Sequence, residues 1–258
     1  SELSGKVACI TGASSGIGEA LAVALSTKGV KVAICARRLE ELERVKANIE
    51  SSTQGSHVLV CKADVTKREE VKAFVKLTED SFGSIDIMIN NAGVMYFTHM
   101  VHLHEDEWER MIDVNCKGVV NGIGAVLKGM KDRGSGHIVN ISSDAGSRIF
   151  PALAVYCGTK YFVNAVSEGL RRELVGTGVR VTTVLPGDVS TDLVVNNTDI
   201  ISANKIGVTI GEKVGKGLSK NQVLQPSDVA DAVVYALSAP SNVAVNEILI
   251  EPRDQALC

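Results

Sequence analysis

Short, continuous apolar runs rich in β-branched residues alternate along this chain with longer segments in which apolar positions recur every third or fourth residue. The runs are Val7–Thr11, Lys31–Cys35, His57–Lys62, Ile85–Asn90, Gly136–Ile141, Val179–Leu185 and Glu247–Ile250. They do not alternate apolar and polar, which predicts strands of a parallel sheet covered on both faces. Between them, Gly18–Lys28, Leu39–Ser51, Arg68–Phe82, Glu105–Arg133, Ala154–Gly176 and Ser227–Leu237 have helical period or strong helix formers. Strand and helix in alternation imply right-handed βαβ units in an α/β, doubly wound, seven-stranded parallel sheet. No linker, repeat or low-complexity stretch interrupts the pattern, so residues 1–258 read as a single domain. The irregular stretch is Ser190–Gln225, just past a strand's carboxyl end. It reads as a substrate lid, with a structural insertion as the alternative.

Composition narrows the picture in three places. Apolar residues make up 45% of the 258 residues, enough for a large core, and the net charge of −3 gives no case for nucleic acid or an anionic membrane surface. No apolar run approaches the ~18 residues of a membrane span, and the start, Ser1–Lys6, lacks the basic and apolar regions of a signal peptide. Cys9, Cys35, Cys61, Cys116, Cys157 and Cys258 form no CxxC pair and no zinc-ligand spacing. The first three lie in strand runs and read as buried, reduced thiols, so a reducing, cytoplasmic location is expected.

The chemistry collects at strand ends. The first run closes in Thr11-Gly12-Ala13-Ser14-Ser15-Gly16-Ile17-Gly18, directly before a helical pattern. Glycines there permit a tight turn and close approach of backbone to a ligand, and the amides of the following helix can take a pyrophosphate. The second run ends in Ala36-Arg37-Arg38, where a dinucleotide fold meets the adenosine ribose. No carboxylate stands there to accept from ribose hydroxyls. Two guanidinium groups suit a 2′-phosphate, so NADP is expected, with Arg37 closest, Arg38 assisting and Ser15 adding a hydroxyl. Asp64-Val65 after the third run reads equally as an adenine acceptor or a helix cap. Asn90-Asn91-Ala92-Gly93 after the fourth reads as a backbone wall beside the cofactor or a simple turn. Asn115 breaks an apolar helical pattern, either as a distortion or as a buried hydrogen-bond partner. Ser143 closes another strand, 13 residues before Tyr156. In Tyr156-Cys157-Gly158-Thr159-Lys160 a phenol and an ammonium share one helix face. A phenol ordinarily titrates near pH ~10, and a nearby cation lowers that. The pair reads as a proton-transfer device or as two ordinary helix-surface residues.

Together, the glycine loop, Asp64, Asn90–Gly93, Asn115, Ser143 with Tyr156 and Lys160, and Pro186-Gly187 make the chain resemble the short-chain dehydrogenases/reductases, over roughly Gly5–Pro252. The resemblance implies a Rossmann fold. It implies NADP(H) held by Gly12, Ser14, Ser15, Gly16, Ile17, Gly18, Arg37, Arg38, Asp64, Val65, Asn91, Ala92 and Gly93. Tyr156 and Lys160 would join them, as would Pro186, Gly187, Val189 and Thr191. It also implies catalytic roles. Tyr156 would donate and accept the proton, Lys160 would lower its pKa and bind ribose, Ser143 would hold the substrate oxygen, and Asn115 would position Lys160 through water. A homodimer or homotetramer is implied, paired through the helices around Glu105–Arg133 and Ala154–Gly176. The stretches Asp106–Asn115 and Val245–Pro252 are similar to NADP-dependent 3-hydroxy acid (serine) dehydrogenases, clavulanate dehydrogenase and insect farnesol dehydrogenase-like enzymes, which differ in substrate.

The expected activity is therefore hydride transfer between nicotinamide and a carbonyl or alcohol carbon, as in a carbonyl reductase or alcohol dehydrogenase. The pocket is expected from Val94, Tyr96, Phe150, Val189 and parts of Leu193–Ile210, mostly apolar and suited to a medium-sized small molecule. Asp144 and Asp188 either add negative charge there or point to solvent. The competing reading is a non-catalytic NADPH-binding regulatory protein. The presence of Asn115, Ser143, Tyr156 and Lys160 together argues against it.

Overall fold

The computed structural model describes residues 3–205, 209–213, 216 and 221–255. Seven strands form one sheet: β1 Val7–Thr11, β2 Lys31–Ala36, β3 Val58–Lys62, β4 Ile87–Asn90, β5 Gly136–Ile141, β6 Val179–Pro186 and β7 Glu247–Ile250. Their spatial order is β3-β2-β1-β4-β5-β6-β7, every pair parallel. The order reverses between β1 and β4, so the chain parts there and opens a crevice beyond the strands' carboxyl ends. This is the doubly wound Rossmann arrangement that the alternating pattern implies.

The helices are α1 Gly16–Thr27, α2 Leu39–Ser52, α3 Arg68–Phe82, α4 Glu105–Ile112, α5 Gly118–Arg133, α6 Ala154–Glu173, α7 Ile200–Lys205 and α8 Pro226–Leu237. Most ends match the sequence pattern within two residues. Ile85 and Asp86 fall outside β4, and α6 stops three residues before Gly176. The expected single helix over Glu105–Arg133 is two helices joined by a wide π turn at Asp113–Lys117, because Asn115 turns inward to backbone partners. The stretch Ser190–Gln225 gains α7 and a parallel bridge between Val189 and Leu224. Its residues 206–208, 214–215 and 217–220 lie outside the described residues, as does Cys258.

Alternate strand residues feed two cores. Ala8, Ile10, Val32 and Ile34 pack under α1, α2 and α8, against residues such as Leu21, Leu42 and Val233. Cys9, Cys35, Met88 and Ile138 pack under α3, α5 and α6, against Phe74, Ile123 and Val163. Each buried Val, Leu, Ile, Phe or Met side chain contributes about 1.5–3 kcal/mol, which is why both faces of the strands are apolar. Burial also makes the thiols inert, pushing Cys9 up to about 12. Cys61 is only partly buried, because β3 is an edge strand. Among the described residues the cysteines are unpaired, and no helix is long and apolar enough to cross a membrane.

One buried polar pair crosses the sheet. His137 on β5 lies with Nε2 2.8 Å from Thr182 Oγ1 on β6, and that hydroxyl donates to Val245 O at 2.6 Å. Thr182 must therefore accept, so Nε2 carries the proton of a neutral ring. Burial first, and the Arg180 charge second, push this histidine down to about 3. The unfolded chain would take up a proton near pH ~6.5. Stability from this ring is thus complete above that pH and is lost as pH falls toward 3. Wild type should lose about 2 kcal/mol more than His137→Gln between pH 7.5 and 5, read by urea unfolding at the two pH values.

Candidate active site

A cleft of about 780 Å³ opens along the carboxyl ends of β1, β4, β5 and β6. Its walls include Gly12, Ser14, Ser15, Gly16, Ile17, Arg37, Arg38, Asp64, Val65, Asn91, Ala92 and Gly93. They also include Ser143, Tyr156, Lys160, Pro186, Gly187, Val189 and Thr191. The structure therefore gathers nearly every residue singled out from the sequence. Gly18 and Asn115 act from behind the wall.

The glycine loop is shaped by close approach. Gly12 has φ +68°, and a Cβ there would sit 2.6 Å from Ala92 Cα. A Cβ on Gly18 would sit 2.4 Å from Gly12 O. Glycine is thus required where the ends of β1 and β4 and the start of α1 converge. Thr11 Oγ1 accepts from the backbone N–H of Asn91 and Ala92, each at 3.1 Å. Asn91 Nδ2 donates back to Thr11 O at 3.0 Å and Gly12 O at 3.2 Å. Asn91 therefore fixes the loop, a role no local sequence signal distinguishes from cofactor contact.

At the far end of the cleft, Arg38 Nη2 donates to Ser14 Oγ at 3.1 Å and Ser15 Oγ at 3.0 Å. These two hydroxyls and the guanidinium form one cluster of donors. Arg38, rather than Arg37, makes the contact with the glycine loop. The charge of Arg37 falls on Asp64. Arg44, which the sequence pattern did not flag, backs the loop by binding Glu19 bidentately at 2.7 and 2.8 Å and Glu41 at 2.8 Å. Asp64 Oδ1 accepts from Thr66 N at 2.9 Å, as a turn-forming residue does, while its side of the cleft stays open. Burial opposes its charge, yet the bonds from Thr66 and the fields of Arg37 and Arg110 hold it below the usual carboxylate range. Val65 lies flat against Gly118, with its carbonyl held by Asn121 Nδ2 at 2.8 Å.

The inner end carries the reactive groups. The first two turns of α6 bring Tyr156 and Lys160 to the cleft floor, both buried, with Lys160 Nζ 5.6 Å from the phenol ring centre and 3.1 Å from Ile141 O, to which it donates. Burial pushes Lys160 down to about 8. Burial also dominates at Tyr156 and raises its pKa. A hydrogen bond with Ser143 works against the rise, and Asp144 adds to it. Desolvation, which penalises the charged phenolate, is the largest of these causes.

Asn115 is both a helix distortion and a buried partner. Its Oδ1 accepts from Val94 N at 2.9 Å, and its Nδ2 donates to Val94 O at 2.9 Å and Thr159 Oγ1 at 3.1 Å. It ties the β4 loop to the catalytic turn of α6, next to Lys160.

Three residues outside the sequence motifs complete this end. Asp144 and Asp188 both line the cleft. Asp144 Oδ1 accepts from Ser143 Oγ at 2.9 Å and Ala145 N at 2.8 Å, and its Oδ2 accepts from Gln255 Nε2 at 2.9 Å. Gln255 Oε1 in turn accepts from Asp188 N at 3.1 Å. Gln255 comes from the segment after β7 and belongs to no pattern, so only the fold could reveal it. The expected pocket residues Val94, Tyr96, Phe150, Val189 and Leu193 line the same end, joined by Asn196. Of the expected span Leu193–Ile210, residues 206–208 lie outside the described residues. The described part of Ser190–Gln225 is fastened to the β4 loop. Asn197 Oδ1 accepts from Phe97 N, His99 Nδ1 lies 2.6 Å from Ser202 Oγ, and His102 Nδ1 lies 2.6 Å from Asp199 Oδ2.

Fold and cleft define a nucleotide-binding α/β oxidoreductase. The short chain dehydrogenase family model matches residues 6–200. The chain is 49% identical over 255 residues to the glycine betaine reductase ATRR of Emericella nidulans, covering 99% of this chain. The chain spans 19% of that relative's length. Among solved structures, an alcohol dehydrogenase from the archaeon Thermococcus sibiricus, complexed with 5-hydroxy-NADP, superposes with a TM-score of 0.85 at 34% identity over 98% of both chains. Serine dehydrogenase from Escherichia coli superposes at 0.79 and 31% identity, over 97% of this chain and 100% of that one. The chain belongs to the short-chain dehydrogenase/reductase family.

Proposed function

We propose that this protein is an NADP(H)-dependent carbonyl reductase or alcohol dehydrogenase. It would move a hydride between nicotinamide and the carbonyl or alcohol carbon of a medium-sized, mainly apolar small molecule. The observation that carries the reading is one cleft with two ends. Arg38, Ser14 and Ser15 cluster at one, and buried Ser143, Tyr156 and Lys160 meet at the other.

The residues present fit NADP. The β2 end offers Ala36 and no carboxylate to repel a 2′-phosphate, and Arg37, Arg38, Ser14 and Ser15 supply donors for one. The close backbone at Gly12 leaves room for a pyrophosphate near the start of α1. Thr191 lies against Gly16 and Val189 lines the same cleft, and these two would hold a carboxamide. When bound, the nicotinamide supplies or accepts the hydride. The chain does the rest. Ser143 and the Tyr156 hydroxyl converge on the substrate oxygen and stabilise its developing charge, and Tyr156 gives up its proton to that oxygen. Lys160 holds positive charge beside the phenol as the proton leaves, and Asn115 fixes the turn that carries both. Alcohol oxidation uses the same groups in reverse.

Beside its apolar residues the substrate side carries Asp144, Asp188, Asn196 and Gln255 and no arginine, and the cleft's arginines, Arg37 and Arg38, sit at the adenosine side. An anionic substrate is therefore disfavoured. The Emericella relative's name points to glycine betaine, a quaternary ammonium compound, and a cationic substrate suits the same two carboxylates. Residues 190–225 are read as a lid, supported by the bonds from Asn197, Asp199 and Ser202 to the β4 loop. The exposed Ile112, Val120, Tyr161 and Phe162 on α4, α5 and α6 support pairing of subunits through those helices.

Tyr156→Phe should lose at least about 100-fold in NADPH-dependent turnover, the usual worth of a general acid, while NADPH binding measured by fluorescence titration stays within a few-fold. Retained turnover would sink the reading. Arg38→Ala should raise KM for NADPH about tenfold, the effect of losing one charge-assisted contact, and leave KM for NADH unchanged. In a matched series, kcat/KM should fall from trimethylammonioacetaldehyde through its neutral isostere 3,3-dimethylbutanal to anionic succinic semialdehyde. The reverse order would remove the charge argument.

A further inference from the structure

Five titratable side chains gather away from the reactive groups, where the segment after β6 meets the β4 loop and the start of α4. They are His99, His102, His104, Glu107 and Asp199. Asp199 is buried; burial opposes its charge, yet the bonds from Ser202 and His102 hold it below the usual carboxylate range. It is an acceptor throughout. Its Oδ1 takes Ser202 N–H at 2.9 Å, and its Oδ2 takes Ser202 Oγ and His102 Nδ1, each at 2.6 Å. Ser202, with its proton used on Asp199, accepts from His99 N at 2.9 Å and from His99 Nδ1 at 2.6 Å. Neutral rings with the proton on Nδ1 satisfy both of these histidines. His104 is placed differently. Its Nδ1 lies 3.4 Å from Glu107 Oε2, and its Nε2 lies 3.8 Å from Asp199 Oδ2. A neutral imidazole has one N–H and can serve one of these carboxylates; an imidazolium serves both. Glu107 Oε1 accepts from Thr198 Oγ1, but Oε2 is buried and has no hydrogen-bond partner among the described residues. A buried acceptor left so is unfavourable, and a second proton on His104 would relieve it.

We propose that His104 is a pH-responsive latch that fastens the segment after β6 over the substrate end of the cleft when it takes a second proton. The inference rests on that end being the substrate side, as read above. Glu107 belongs to α4 and Asp199 to the segment after β6, so a charged ring between them joins the two. With the segment released, the ring is solvated; with it fastened, the ring lies between two carboxylates. An imidazole ordinarily takes its second proton near pH ~6.5. That proton therefore favours the fastened state below this pH, and the gain is lost as pH rises through it. No lysine or arginine pairs with Glu107 or Asp199 among the described residues. Of the other charges on α4 and α7, Arg110 acts on Asp64, and Glu105, Asp106, Glu109 and Lys205 are exposed. The latch holds a pocket wall. Two residues before Asp199, Asn197 binds Phe97 N and Met95 O, and Met95, Phe97, Leu193 and Asn196 all line the cleft.

The test is hydrogen–deuterium exchange of residues 194–205 between pH 8 and 5.5, corrected for the intrinsic exchange rate, in wild type, His104→Gln, His102→Gln and Glu107→Gln. The His104 side chain makes no cap bond to α4, so its replacement leaves that helix intact. Protection in wild type should rise about fivefold toward the lower pH, the scale of one partly exposed ion pair. It should stay flat in His104→Gln and rise less in Glu107→Gln. A flat wild-type profile, or the wild-type rise kept in His104→Gln, overturns the proposal. A rise lost in His102→Gln and kept in His104→Gln places the sensor on His102 and overturns it too. If His104→Gln does not fold, Glu107→Gln decides, a smaller rise in support and a full rise against. In turnover, KM for 3,3-dimethylbutanal in His104→Gln relative to wild type should be near unity at pH 8 and about five at pH 6, with KM for NADPH the same in both proteins. An equal ratio at the two pH values would show a merely structural role and defeat the latch. The exchange readout needs neither substrate nor turnover. Wild type that turns over no aldehyde therefore defeats the oxidoreductase reading, and the exchange profile still decides the latch.

Discussion

Everything in this molecule hangs on the parting of the chain between β1 and β4. Two neighbouring strands send their connections to opposite faces of the sheet, and the crevice left between them is where α1, the β4 loop and α6 meet. The parting is held open and in register by a few bonds. Thr11 receives two backbone donors from the β4 end, and Asn91 returns two bonds to the β1 end. The backbones come so close that a methyl group on Gly12 would collide with Ala92. The cleft is thus made by main-chain geometry, and side chains decorate it.

Its inner end concentrates groups that water would normally hold. A lysine, a tyrosine and an aspartate are buried within one hydrogen-bonded neighbourhood. Burial raises the pKa of Tyr156 and lowers that of Lys160. Such a cluster is costly to desolvate, and the two apolar cores on either side of the sheet offset the cost. The arrangement keeps a proton on the phenol and positive charge beside it, which suits a site that must deliver a proton when negative charge grows on a substrate oxygen. The lone distortion in a long helix serves the same end. The π turn at Asn115 frees its amide to hold Val94 and Thr159 at once, locking the β4 loop to the turn bearing Lys160.

Much of this was legible in one dimension. Continuous apolar runs announced buried parallel strands, because a strand covered on both faces has no polar side. Glycines and small polar residues at the strand ends announced the cleft, because the chemistry of such a fold gathers there. Helix ends drifted by up to three residues, as they do where caps rather than packing set them. Two features needed three dimensions. Arg37 and Arg38 are neighbours in sequence, but in the fold Arg38 meets the serines while the charge of Arg37 acts on Asp64. Spacing puts Tyr156 and Lys160 on one helix face but carries no information on solvent, and burial raises the phenol's pKa.

The sequence by itself determined the fold class, the place of the cleft and the identity of many of the residues lining it, because these follow from periodicity and from residues whose chemistry suits few other positions. Only the tertiary structure decided how those residues are coupled. Asp144 touches Ser143 by adjacency, but its second oxygen is held by Gln255, 111 residues away, and Gln255 is held through Asp188. Hydrogen bonds of that reach depend on how the segment after β7 returns across the end of β6. That path is set by packing among distant elements and leaves no periodic trace along the chain.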